Sequence, residues 1–185
     1  MRDEILFEAE EKMEKAVDHL AHSFRGIRTG RASPGLVEGI RVDFYGAPTP
    51  LPHMASISIP EPRMIMIKPF DSSSTTEVVK AIQKSELGIT PQSDGKIIRL
   101  ILPPLSEDRR KQLSVLVRDK AEEARVAIRN VRRDANKHAK SAADEGHLPK
   151  DDFDKLLEEI DGLTKQYEGK VDEGVTKKQK EIMEV

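Results

Sequence analysis

From Ile5 to Ile27 the apolar residues Leu6, Met13, Leu20 and Ile27 recur every seventh position, and Ala9, Ala16 and Val17 widen the stripe between Glu, Lys and Asp. A seven-residue repeat predicts a helix seamed against other long helices. A second helix is predicted after Ser106-Glu107-Asp108, which offers a cap oxygen and two acids to a positive helix end. No Gly or Pro interrupts it before Gly146, so it runs roughly 55–60 Å at 1.5 Å per residue. Its apolar residues Leu113, Val117, Ala121, Ala124, Ile128, Val131 and Ala135 recur by threes and fours. A third helix, starting near Asp151 or Asp152, carries Phe153, Leu156, Leu157, Ile160, Leu163, Tyr167, Val171, Val175 and Ile182. Three such stripes close into an elongated three-helix bundle. Gly162, Gly169 and Gly174 each cost the third helix roughly 1 kcal/mol relative to Ala, so a bend or frayed turn is expected there.

The middle of the chain follows another period. Ile40, Val42 and Phe44 alternate with Arg41, Asp43 and Tyr45, and Ile57 and Ile59 flank Ser58. Met64–Ile67 and Ile97–Leu102 are short apolar runs bounded by Pro or Gly, which predicts strands. Ser74-Thr75-Thr76-Glu77 has the form of a capping box, opening a helix that carries Val78, Ala81 and Ile82 and is expected to stop at Gly88. Of 11 prolines, 10 fall between residues 30 and 104, so that stretch cannot be the same kind of structure as its long-helix flanks. The fold class is accordingly α+β: residues 1–29 and 105–185 form the bundle, and residues 30–104 form an inserted β-rich domain. Two chain crossings, near 29–31 and 103–106, join them and are expected to act as a hinge. The proline pair Pro103-Pro104 equally suits a stiff spacer.

Composition changes the picture in two ways. With 185 residues and no Cys, disulfide scaffolds, thiolate metal sites and Cys nucleophiles are excluded. No apolar run approaches the roughly 20 residues of a membrane span, and the first residues resemble neither a signal nor a transit peptide, so a cytoplasmic protein is expected. Lys and Arg number 31 and Asp and Glu 33, a net charge of −2 that conceals segregation. Residues 105–140 hold 11 basic and 6 acidic side chains, whereas 141–185 hold 7 and 13. One long helix is basic and its bundle partner acidic.

On a helical wheel with Arg118 at 0°, residues Arg125, Arg129, Arg132, Arg133 and Lys140 fall within roughly 60° of it, beside the buried arc. Four guanidiniums over about two turns suit a row of phosphates, because each offers a planar fork of donors and stays charged. The same residues could instead pair with the acidic third helix, and Glu122 could pair with Arg125 at i,i+3. Arg25, Arg28 and Arg31 cluster at the end of the first helix, where cations also complement the negative helix terminus.

Catalytic chemistry is not indicated. The sequence has no HExxH, nucleophile elbow or Gly-x-Gly-x-x-Gly, and the Gly95-Lys96-Ile97 segment lacks the P-loop spacing and hydroxyl. The five His are scattered, and the acids from Asp151 to Glu159 suit a solvated helix start better than a calcium loop. No enzyme activity, cofactor, metal or small-molecule substrate is expected. A coiled-coil adaptor binding partner helices is the alternative, distinguished by association insensitive to salt.

Four motifs in order resemble the bacterial ribosome recycling factor family: RTGRASP at 28–34, YGAPTPL at 45–51, PPLSEDRRK at 103–111 and ARVAIRNVRRDAN at 124–136. The resemblance covers essentially the whole chain. It implies an L-shaped, monomeric two-domain protein that binds the large ribosomal subunit after termination and, with elongation factor G and that partner's GTP hydrolysis, separates the subunits. The family's rRNA-contacting positions match Arg28, Arg110, Arg129, Arg132 and Arg133, with Arg31 at the hinge; Arg125 joins them on spacing. Hinge motifs match at Thr29, Gly30 and Arg31 and at Pro103, Pro104 and Leu105, next to Ser106. Pro52, His53 and the three late glycines depart from the family pattern.

Overall fold

The computed structural model describes residues 1–184, which form two compact units. The first comprises Met1–Phe24 and Gln112–Lys180; the second comprises Arg25–Lys111 with residues 181–184.

Three long helices supply the first unit: α1 (Arg2–Arg25), and most of the pair numbered α4 (Glu107–Asp144) and α5 (Lys150–Met183). Helix α4 has 38 residues and α5 has 34, both close to the lengths expected from uninterrupted periodicity. Ser106 Oγ accepts the Arg109 N–H at 3.2 Å, the expected cap of α4. The helix ends before Gly146, whose φ of +76° is the left-handed C-terminal conformation that glycine adopts without penalty. Met13, Val117, Ala121, Ile128, Ala139, Leu156, Ile160 and Val171 are buried between the helices. Two members of the seven-spaced row fare differently. Leu6 is only half-buried, with Ile5 taking the core position, and Ile27 lies beyond the helix end at Arg25, where Phe24 closes the stripe. The late glycines neither break nor fray α5, which is continuous through Gly162, Gly169 and Gly174. Packing of the surrounding Tyr167, Val171 and Leu156 outweighs their propensity cost.

The second unit contains a two-stranded ribbon and a four-stranded antiparallel sheet. The ribbon pairs β1 (Arg41–Phe44) with β2 (Ala47–Pro50) through a two-residue turn, Tyr45-Gly46. The sheet has the order β3-β4-β6-β5, from β3 (Ala55–Glu61), β4 (Met64–Pro69), β5 (Gln92–Ser93) and β6 (Ile98–Ile101). The buried alternation of Ile65 and Ile67 on β4 with Ile98 and Leu100 on β6 faces Val78 and Ile82 of α3 (Thr75–Lys84). A short α2 (Gly35–Glu38) adds Leu36 and Val37 to this core. Strand β2, unanticipated because it contains Pro48 and Pro50, tolerates both because alternate residues direct their nitrogens to the same side, away from β1.

The capping box is corrected by the structure. Ser74 is in α conformation and donates its hydroxyl to the Asp71 carbonyl at 2.6 Å rather than capping α3. Asp71 has taken the capping role one turn earlier, accepting the Ser73 N–H at 2.9 Å ahead of a 3₁₀ turn over Ser72–Ser74. Helix α3 also ends at Lys84, before Gly88, because Ser85 is extended and donates its hydroxyl back to Ile82. Among the described residues no helix is long and apolar enough to cross a membrane.

Candidate nucleic-acid interface

The arginines of α4 stand beside the buried arc because the helix is long, regular and uninterrupted, so wheel angles survive over its whole length. Their environments divide them. Arg125 Nη2 donates to Asp172 of α5 at 2.6 Å, and its Nη1 to Glu122 at 3.3 Å. Both carboxylates hold its guanidinium protonated more firmly than usual, Asp172 by the larger share. Arg129 donates from Nε to Glu168 at 3.1 Å and from Nη1 to Glu122 at 3.2 Å. Pairing with the acidic third helix therefore accounts for these two residues.

Arg132 and Arg133 are different. Neither has a hydrogen-bonding or ion-pair partner among the described residues; Arg133 is exposed and Arg132 half-buried. The reason is legible in register. Antiparallel α4 and α5 bring 125 to 172 and 129 to 168, so one further turn on each brings 132 and 133 to 165 and 164. Lys165 is a cation there, and the Thr164 hydroxyl donates to its own helix at Ile160 O, 2.8 Å away. The ladder of acids has no carboxylate at this rung, leaving two guanidiniums with unfilled donor capacity. Arg118, two turns before Arg125 on the same face, is also exposed without a partner among the described residues. On the wheel it stands at the centre of the basic arc, although no phosphate contact is expected of it from the sequence.

The remaining candidates lie in the second unit. Arg28 Nη2 donates to the Pro103 carbonyl at 3.3 Å, linking the two crossings, and its Nε is buried without a partner. Arg110, in the first turn of α4, likewise has a buried, unpartnered Nε. Arg31 Nη1 meets Glu184 Oε2 at 3.1 Å, so its charge is shared with the carboxylate near the end of the chain. Thr29 is almost fully buried; its Oγ1 accepts from Arg31 N at 3.3 Å and donates to Arg31 O at 3.4 Å, which fixes the turn through Gly30. Pro103 and Pro104 are exposed, Leu105 is half-buried, and Ser106 is committed to the α4 cap.

Similar proteins share this organisation. The family model for ribosome recycling factor matches residues 20–183. A ribosome-recycling factor of Halalkalibacterium halodurans is 46% identical over 185 residues, covering 100% of both chains. One from Nitratidesulfovibrio vulgaris is 49% identical over 183 residues, covering 99% of this chain and 98% of its own. Among solved structures, the solution structure of a ribosome recycling factor is similar at a TM-score of 0.80 and 38% identity, covering 100% of this chain and 98% of that one. A second, at a TM-score of 0.71 and 38% identity, covers all of both chains; it models the Thermus thermophilus factor and Escherichia coli elongation factor G bound to the E. coli post-termination complex.

Proposed function

Since this chain belongs to the ribosome recycling factor family, we propose that it acts on the post-termination ribosome with elongation factor G, separating the subunits for another round of translation. The observation that carries this reading is similarity along the entire chain, at 46% identity over 185 residues, rather than over one unit. It is a non-enzymatic translation factor: its part is to bind and to transmit force, while GTP hydrolysis belongs to the partner.

Arg132 and Arg133 are the residues best placed to grip rRNA of the large subunit. Their donors are unclaimed, and a phosphate can fill them without first breaking an ion pair. Arg118 extends the same face. Arg125 and Arg129 contribute less, because Asp172, Glu168 and Glu122 already occupy their forks. Recognition through backbone phosphates and shape is what helical RNA requires, since side chains cannot read its deep groove. The acidic α5 turns phosphate away and so selects which side of the bundle meets RNA. Arg28 and Arg110 supply further cations near the crossings, and the crossings themselves are the hinge by which movement of the second unit becomes subunit separation.

Light scattering of purified post-termination ribosomes tests this. Adding the protein with elongation factor G and GTP is expected to lower the signal as subunits part, and each component alone is expected to leave it unchanged. An unchanged signal with all components present overturns the reading. Because the chain has no Cys, an introduced pair that bridges the two units would be its only disulfide. Oxidation of that pair is expected to preserve ribosome binding and stop splitting; splitting at the normal rate removes the hinge from the mechanism.

A further inference from the structure

We propose that the β1–β2 hairpin tip is a receptor for a cationic side chain of a partner protein, with the Tyr45 ring as its platform and Asp71 as its counter-ion. This surface lies in the second unit, outside the arginine face, and the inference does not rest on the ribosomal reading.

Tyr45 is the only non-glycine residue with positive φ among the described residues, at +50°, and Gly46 follows at +82°. Two positive φ values make the tight hairpin turn that normally carries Asn or Asp at its first position, where a short polar side chain eases the strain. A bulky aromatic residue there is an outlier. Burial does not explain it, because Tyr45 is 83% exposed. The ring is nevertheless held. Its hydroxyl donates to Asp71 Oδ2 at 3.3 Å, and the Phe44 ring meets it edge-on, with centroids 4.5 Å apart at 71°. Next to Asp71 in sequence, Phe70 is 73% exposed. An oriented, accessible ring therefore stands beside a carboxylate whose chain neighbour, Phe70, is also exposed.

The charge at this place selects the ligand. Asp71 is held below the usual carboxylate range, first by the Ser73 backbone N–H, then by the Ser73 side chain and the Tyr45 hydroxyl, and so it stays ionised. Neither Asp71 nor the exposed Asp43 meets a cation among the described residues. The nearest cation in the strand, Arg41, stands two residues further from the tip. An aromatic face is negative and attracts Lys or, more often, Arg, and adjacent carboxylates strengthen that preference. The same carboxylates repel a phosphate backbone, which disfavours an unpaired base stacked on Tyr45. A basic protein segment satisfies both the ring and the acids.

The full chain labelled with 3-fluorotyrosine tests this directly, because it has two Tyr, and Tyr167 is buried at 2% exposure. The Tyr45→Phe variant assigns the two ¹⁹F signals. Titration with hexa-arginine peptide is expected to shift the Tyr45 signal saturably and leave Tyr167 in place. The Asp71→Asn variant keeps an oxygen for the Ser73 N–H and is expected to raise the half-saturating peptide concentration at least threefold. Asp43→Asn, which alters no hydrogen bond described above, is expected to raise it less. A Tyr45 shift with hexauridylate and none with the peptide would make the tip a base-stacking platform and overturn the proposal. So would no Tyr45 shift, an equal shift of Tyr167, or indifference to both Asp variants.

Discussion

Replacing Arg132 with Ala is expected to separate binding from stability, and replacing Arg125 with Ala to do the reverse. Arg132 has no partner among the described residues, so its removal costs the fold less than about 0.5 kcal/mol, the usual effect of a surface substitution. A charge-assisted hydrogen bond to phosphate contributes about 1.5–3 kcal/mol. At about 1.4 kcal/mol per decade, Arg132→Ala therefore weakens binding to the large ribosomal subunit roughly ten- to hundredfold. Arg125→Ala instead breaks two half-exposed ion pairs, to Asp172 at 2.6 Å and Glu122 at 3.3 Å, each of which contributes about 0.2–1 kcal/mol. It is expected to lower urea-measured stability by that order and to leave affinity within a few-fold of the parent. Equilibrium titration against purified large subunits across a salt series reads the other half. The Arg132→Ala/Arg133→Ala double variant is expected to flatten the slope of log K against log salt by about 1.4–1.8, through two lost phosphate contacts. Equal loss of affinity in Arg125→Ala and Arg132→Ala would refute the division of the face into paired and unpaired cations. An unchanged salt slope in the double variant would refute the phosphate contacts.

Glycines offer a test of opposite signs. Gly162 lies within α5 with open space where a Cβ would stand, so Gly162→Ala is expected to stabilise the protein by about 0.5–1 kcal/mol. Gly146→Ala, at φ +76°, is expected to destabilise it by about 1–2 kcal/mol in the same urea titration. Ile128 is fully buried between the long helices, and Ile128→Ala is expected to cost about 2–5 kcal/mol, with a lowered denaturant midpoint and unchanged m-value. Asp94 accepts the Ile97 and Lys96 N–H groups at 2.9 and 3.0 Å, which hold its carboxyl below the usual range, the Ile97 bond most strongly. Its folded pKa is lowered, so its contribution is full above the ordinary aspartate value and is lost as pH falls through the lowered one. Thermal melts between pH 6 and 2 are expected to show a shallower acid decline in Asp94→Asn than in the parent.

The long helices were legible because their signals are redundant. Spacing by threes and fours, a Ser-Glu-Asp cap and a terminal Gly146 all point to α4, and the 38-residue helix follows. The seven-spaced row of α1 was a coarser guide: it rightly marked Met13 and Leu20, but could not say that the chain leaves the helix before Ile27. In the second unit, strands with apolar alternation were readable, whereas β2 and β5 were not, because Pro48, Pro50, Gln92 and Ser93 carry no such signal. The Ser74 capping box misled because Asp71, three residues upstream, competes for the same helix start. For the arginine face, composition located the residues but not their partners. Which of them is free depends on the register of α4 against α5, a tertiary quantity that places Asp172 and Glu168 opposite two arginines and, carried on by one turn, puts Lys165 rather than an acid at the next rung.

That missing rung lets α5 set how many cations α4 leaves free. A carboxylate at position 165 is expected to fill this rung, firm the bundle by a fraction of a kilocalorie per mole and engage the guanidiniums now free, with no change to any residue of α4. Stability and affinity are thus opposed through one column of acids. On the proposed reading, a substitution that makes the bundle sturdier at this rung occupies the cations that binding needs.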